Sequence, residues 1–186
     1  MLAFVFWSTP ISGNDVRRFE DSLSCFHEEL NDNRVAGFRR SVSFRVTSKL
    51  PWLRTQQALY EDWYLLSNFA AMDRLDQRIA DAHSLPAHRR LMQQTGDASG
   101  AVVYLDKGSA YVEKNRFAWW FARSRAVTAT ELVAAVQDEH DGARSSVWTR
   151  AMALGPAGTC LLADVDVEDT VLPTATKVDR TLLWAP

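Results

Sequence analysis

The sequence predicts an α+β fold: two ferredoxin-like halves in one chain, the second lacking a helix. Three observations carry this. Residues 2–6 (LAFVF) are matched by residues 117–121 (FAWWF). The run Phe38-x-Arg40-x-Val42-x-Phe44 is matched by Trp148-x-Arg150-x-Met152-x-Leu154. The order of strand-like and helix-like segments also repeats, and repetition constrains architecture before any motif does.

Residues 2–7 form a continuous apolar run ended by Ser8-Thr9-Pro10, which predicts a strand buried on both faces. Asn14 or Asp15 then caps a helix whose Val16, Phe19, Leu23, Phe26 and Leu30 make one stripe. Residues 38–46 alternate and predict a strand, and Pro51 and Trp52 open a loop. Residues 60–66 (YEDWYLL) predict the next strand. Ser67 or Asn68 caps a helix with Phe69, Met72, Leu75 and Ile79 on one side. Pro86 starts a short further helix reaching about residue 94, and residues 101–105 close the half as a strand. This is the β-α-β-β-α-β order of ferredoxin-like units.

The second half starts again. Residues 117–122 predict a strand, Thr128 or Thr130 begins a helix, and residues 147–154 and 159–165 predict two strands around a Gly155–Gly158 turn. Residues 166–179 carry no apolar helical stripe, and residues 181–184 predict a last short strand. The expected boundaries are therefore 1–108 for the first half and 115–186 for the shortened second.

The 186 residues are 47% hydrophobic and 24% charged, an ordinary globular composition that excludes general disorder. Seven Trp and nine Phe imply a core, or a cavity, with bulky walls. A net charge of -2 with scattered basic residues gives no nucleic-acid footprint. Cys25 and Cys160 have no zinc or CxxC spacing, so reduced thiols and a cytoplasmic location are expected. The apolar start is too short for a signal peptide, and no run has the length of a membrane span.

The paired aromatic strands, YEDWYLL with the helix NFAAMDRLDQRIADAH, and the closing RTLLW resemble the dimeric α+β barrel superfamily. They are similar to a tandem version in which one chain supplies both halves, as in bacterial members of that group. The resemblance implies a barrel and covers most of the chain. It leaves the chemistry open, because the superfamily includes cofactor-free monooxygenases, haem enzymes and muconolactone-type isomerases.

Arg40 and Arg150 lie on otherwise apolar strand sides at positions that the repeat makes equivalent. They are candidates to bind an anionic ligand such as a carboxylate, or else to pair with Glu61, Asp62 or Asp164. Asp62 and His83 are the candidate proton-transfer groups. Trp7, Trp63, Trp120 and Trp148 are expected to line a cavity between sheet and helices. His27 and His140, near helix C-termini, read as cations on the helix dipole. His83 and His88 read as loop residues.

The expected function is binding of a small aromatic or apolar acid, with cofactor-free oxygenation or isomerisation as the chemistry. No metal or cofactor is expected. One alternative is a non-catalytic module that forms a homodimer through a sheet face bared by the missing helix. Another is a haem protein, which needs His83 or His88 turned inward.

Overall fold

The computed structural model describes residues 1–54, 58–81, 85–122, 127–152, 156, 158–167, 172 and 174–186. Its elements are β1 (Leu2–Pro10), α1 (Val16–Asp32), β2 (Phe38–Val46), β3 (Leu59–Leu66), α2 (Phe69–Ala80), α3 (Pro86–Met92) and β4 (Thr95–Gly108), then β5 (Phe117–Phe121), α4 (Ala129–Glu139), β6 (Ser145–Arg150), β7 (Thr159–Ala163) and β8 (Thr176–Trp184). A single 3-10 turn, Val112–Lys114, links β4 to β5. The helix starts follow from local hydrogen bonding. Asp15 accepts from the Arg17 N–H, Asn68 from Ala71, and Thr128 forms a capping box with Glu131.

The strands close into an antiparallel barrel in the order β1-β3-β2-β8-β5-β7-β6-β4. Read around the ring, β4-β1-β3-β2 is followed by β8-β5-β7-β6, so each half of the chain contributes the same strand order. Closure leaves no sheet edge to pair with another chain. Several strands outrun their apolar signal: β1 runs on through Ser8, Thr9 and Pro10, expected to end it, and β6 begins at Ser145 rather than 147. β4 begins at Thr95 rather than 101 and β8 at Thr176 rather than 181, because ladder hydrogen bonds extend through polar residues.

Alternation sorts the side chains into two layers. Val5, Trp7, Val42, Phe44, Trp63, Trp120 and Trp148 point into the barrel and pack there. Leu2, Phe38, Tyr60 and Tyr64 point outward and meet Phe19, Leu23 and Phe26 of α1. On the other half α4 covers the outer face together with Val165, Val167 and Leu172. The sheet face expected to lie bare is thus covered by α4 and by Val165, Val167 and Leu172.

The expected match between Arg40 and Arg150 fails on register. Val5 lies opposite Trp63, and Trp63 opposite Val42. Trp120 lies opposite Cys160, and Cys160 opposite Trp148. Pairing Val5 with Trp120, as the first-strand repeat requires, puts Trp148 in the place of Val42. Arg150 then holds the place of Phe44, and Ser146 that of Arg40. A bulge between Phe38 and Arg40 also breaks the alternation: Phe38 faces the helices, while Val42 and Phe44 face the barrel.

Inside the barrel a charged pair replaces apolar filling. Arg180 Nη1 lies 2.8 Å from Glu61 Oε1, and both side chains are fully buried. The indoles of Trp7 and Trp63 donate to the two oxygens of Glu61 at 2.9 and 2.8 Å. Arg180 also donates to the Asn115 carbonyl at 2.6 Å and stacks 4.2 Å above the Phe44 ring. The carboxylate thus receives one charged and two neutral donors, which offset the cost of burying it, while Arg180 Nε has no hydrogen-bond partner among the described residues.

Gly108 ends β4 at φ 91°, a left-handed conformation that favours glycine. A Cβ there would press on the Ser145 carbonyl and lie 2.7 Å from Ser146 Cα. Gly108→Ala is expected to lower stability by about 1–3 kcal/mol, from backbone strain alone or more with the clash. Urea unfolding followed by tryptophan fluorescence measures it.

Candidate functional site

Outward residues of β1 and β3 form the floor of a pocket roofed by α1, α2 and α3. Its volume is about 200 Å³. Phe4, Phe6, Phe26, Tyr64 and Leu75 supply apolar walls, and Asp62, Asp76 and His88 are its ionisable groups. The register explains the floor: Phe4 lies opposite Tyr64, and Phe6 opposite Asp62.

Asp62 is 1% exposed and is held from behind by a hydrogen-bonded chain. His27 Nε2 lies 3.2 Å from Asp62 Oδ1, and His27 Nδ1 lies 2.6 Å from Ser41 Oγ. Asn31 Nδ2 donates to Ser41 Oγ at 2.8 Å and to the His27 carbonyl at 2.7 Å. A carbonyl only accepts, so the Asn31 atom facing it is the amide nitrogen. Asn31 N–H therefore donates to the Ser41 oxygen, and the histidine tautomer sets the direction of the Ser41–Nδ1 and Nε2–Asp62 hydrogen bonds. His27 is fully buried and lies between the rings of Tyr64 and Trp184, with centroids 5.6 and 5.3 Å away.

Two neighbours are tuned by this setting. Burial, and secondarily the charge of Asp62, pushes the Tyr64 hydroxyl well above its ordinary range. Burial holds His88 below the usual histidine value, which favours the neutral imidazole at neutral pH. Its ring packs on Phe26 with centroids 5.2 Å apart. It belongs to α3 and lines the pocket, rather than sitting in a loop.

Of the residues singled out in the sequence, Asp62 is in this pocket and His83 lies outside the described residues. Trp7, Trp63, Trp120 and Trp148 are inside the barrel, on the opposite side of the sheet from the pocket. Trp7, Trp63 and Trp148 fill space instead of enclosing it, with Trp63 meeting Trp148 at 5.2 Å and Trp7 meeting Trp120 at 4.9 Å, while Trp120 also borders an open depression. Aromatic walls between sheet and helices exist, but phenyl and phenol rings make them.

Arg40 and Arg150 do not converge. Neighbouring strands are all antiparallel, so β2 and β6 run the same way around the barrel. Arg40 is near the start of β2 and Arg150 ends β6, which puts them at opposite mouths. Arg40 pairs with Glu113 at 3.0 Å, donates to the Ala110 carbonyl at 2.9 Å and stacks on Tyr111 at 4.8 Å. None of the carboxylates expected as its partner is the one it uses. Arg150 borders a depression of about 990 Å³ with Trp52, Trp120 and Asp106.

His27, Ser41 and Asn31 went unread as site residues. His27 is not a dipole cation at a helix end; it lies on the buried face of α1 with Leu23, Leu30 and Asn31. The signal was present, since 27 is four residues after Leu23 and three before Leu30. His140 does sit at the end of α4, where its Nε2 lies 2.9 Å from the Asp166 carbonyl.

No family model matches this sequence, and no curated protein matches it. Solved structures share its shape. A chlorite dismutase-like protein superposes with a TM-score of 0.53 at 12% identity, over 97% of this chain and 94% of its own. An anthrone oxidase-like protein gives 0.51 at 9% identity, over 97% and 91%. A mutant chlorite dismutase from Candidatus Nitrospira defluvii in complex with cyanide gives 0.50 at 6% identity, over 98% and 91%. What is shared is the fold, an α+β barrel.

The alternative of a haem held by His88 does not fit the described residues. The pocket that holds His88 is about 200 Å³, far smaller than the macrocycle, and adds the carboxylates of Asp62 and Asp76. The larger depression has no His, Cys, Met or Tyr on its described walls to serve as an axial ligand.

Proposed function

We propose that this protein binds a small, neutral aromatic or apolar molecule between the sheet and α1–α3, and that Asp62 takes a proton from it. One observation carries the reading. A carboxylate that lines an apolar pocket is also fixed by a histidine, a serine and an asparagine behind it. Burying a carboxylate is costly, and hydrogen bonding from His27 offsets the cost while leaving Asp62 oriented toward the pocket. An apolar cavity of about 150 Å³ accepts a benzene ring, so about 200 Å³ suits one or two fused rings.

The charge balance narrows the ligand. Asp62 and Asp76 face a neutral His88, so a carboxylate ligand meets like charge, and a weakly acidic C–H or O–H compound does not. In an isomerisation the C–H proton passes to Asp62 and returns to a different carbon, leaving the electron count unchanged. Cofactor-free oxygenation starts from the same deprotonated ligand, with dioxygen as the oxidant. Arg150 and Trp120 take no part in this pocket. The frame that carries it reads as a tandem of ferredoxin-like halves, 1–108 and 115–186, with only the first roofed by three helices.

The ketone 2-tetralone is neutral, apolar and enolisable, and tests the reading. Its α-protons are expected to exchange with deuterium faster in the presence of protein, followed by proton NMR. Asp62→Asn is expected to retain binding and lose roughly 10²-fold or more of that acceleration. Ile79→Phe, which fills the pocket from α2, is expected to abolish binding. Acceleration undiminished in Asp62→Asn would sink the proposed role. Binding without acceleration in the parent protein would favour a non-catalytic binding protein.

A further inference from the structure

We infer that His88 is the oxygen-binding group of the pocket above β1 and β3: its imidazole N–H donates to a carbonyl oxygen of the ligand while Asp62 takes the proton from the neighbouring carbon. The substrate class is then an enolisable ketone or aldehyde. This rests on the proton-abstraction reading of Asp62 and adds a second catalytic residue to it. Both side chains line the same cavity of about 200 Å³. They enter it from different layers: Asp62 belongs to β3 in the floor, and His88 to α3 in the roof. A cavity this small seats a single ring or a fused pair, which touches floor and roof together.

Hydrogen-bonding supply and demand single out His88. The uncharged walls with an N–H or O–H to give are Ser8, Tyr64, His88 and Thr95. Thr95 donates its hydroxyl to the Leu91 carbonyl at 3.0 Å. Ser8 and Tyr64 stand on β1 and β3, in the same floor as Asp62. His88 is half-buried with its ring on Phe26, and it makes no hydrogen bond or ion pair with another described residue. Its nitrogens are not sealed either, unlike the indole nitrogen of Trp119 or the Ser43 hydroxyl. The imidazole hydrogen bond is therefore open to whatever occupies the pocket.

The wall it comes from suits the reaction. An α C–H bond breaks across the plane of the carbonyl group, whereas the oxygen accepts hydrogen bonds near that plane. Base and donor must therefore approach from different directions, as floor and roof do. Asp62 takes the hydrogen as a proton, the C–H pair becomes a C=C bond, and the carbonyl π pair moves onto oxygen. The His88 N–H donates to that oxygen and keeps its proton. Reprotonation reverses the flow, so the step consumes no oxidant or reductant. Burial favours the neutral form of His88. A neutral imidazole still carries one N–H, and it does not draw Asp62 or Asp76 into an ion pair that would fill the pocket.

The test is the infrared carbonyl band of 2-tetralone bound to the full chain, isolated as the difference between ligand isotopically labelled at the carbonyl carbon and unlabelled ligand. In the parent and in Asp62→Asn the band is expected at lower wavenumber than in hexane. His88→Leu is expected to return it to the hexane position and to slow deuterium exchange by about 10²-fold, the usual effect of removing one such donor, with the ligand still bound. His88→Gln, which keeps an N–H, is expected to recover part of both. An unshifted band in the parent, a shift that survives in His88→Leu, or one lost in Tyr64→Phe instead would overturn the inference. Accelerated exchange with an unshifted band removes His88 and leaves Asp62 as proposed. A shifted band without acceleration removes the Asp62 role and leaves His88 as the donor. Failure of 2-tetralone to bind overturns both.

Discussion

Arg180→Met is expected to destabilise the protein by about 3–5 kcal/mol, because it leaves the Glu61 carboxylate charged and unpaired inside the barrel. The parent pair is fully buried, at 2.8 Å. The indoles of Trp7 and Trp63 remain as donors to Glu61 in the variant, but neutral donors do not balance a full charge in a dry interior. Urea unfolding monitored by circular dichroism gives the difference. Glu61→Gln combined with Arg180→Met is expected to recover most of the loss, since a glutamine oxygen still accepts from an indole and carries no charge. Losses in the double variant that equal the sum of the singles would show that the two side chains are not coupled.

The second large effect is expected at Trp63. Trp63→Ala removes a fully buried ring that packs on Trp120 and Trp148 with centroids 6.1 and 5.2 Å away. Eight strands close around this interior, so neighbouring backbone cannot collapse into the void. A loss of about 3–5 kcal/mol is expected. Trp63→Phe separates two contributions: it keeps much of the volume and removes the N–H donated to Glu61. Its cost is expected to be smaller, about 1–3 kcal/mol, from the lost charged hydrogen bond and the residual space. Equal losses for the two variants would show that ring packing contributes little beyond the hydrogen bond. The same unfolding measurement decides it.

Much of the architecture was legible because it rests on period. The α1 stripe Phe19, Leu23, Phe26 and Leu30 is buried as its spacing requires, and Asp15, Asn68 and Thr128 cap where short polar side chains precede apolar periodicity. Asp62 is conspicuous in the sequence as an acid in an aromatic strand. Its partners were less visible. His27 fell on the apolar face of α1, but Ser41 and Asn31 are common residue types whose meaning comes only from sharing His27. The tryptophans were visible as bulk and misplaced by one side of the sheet. β3 shows why: all eight of its residues are buried, so burial does not distinguish Glu61, which faces Arg180 in the barrel, from Asp62, which faces His27 under the helices.

The sequence by itself determined most elements, their order and the aromatic load, because these depend on local propensity and on spacing along one chain. The tertiary structure decided everything that depends on which strands meet. Barrel closure brought Arg180 to Glu61, 119 positions away. Strand direction put Arg40, near the start of β2, and Arg150, at the end of β6, at opposite mouths, and a bulge in β2 took Arg40 out of the repeat's alternation. A shift of one residue turns a strand's side chains to the other face, and sequence spacing alone does not encode such a shift.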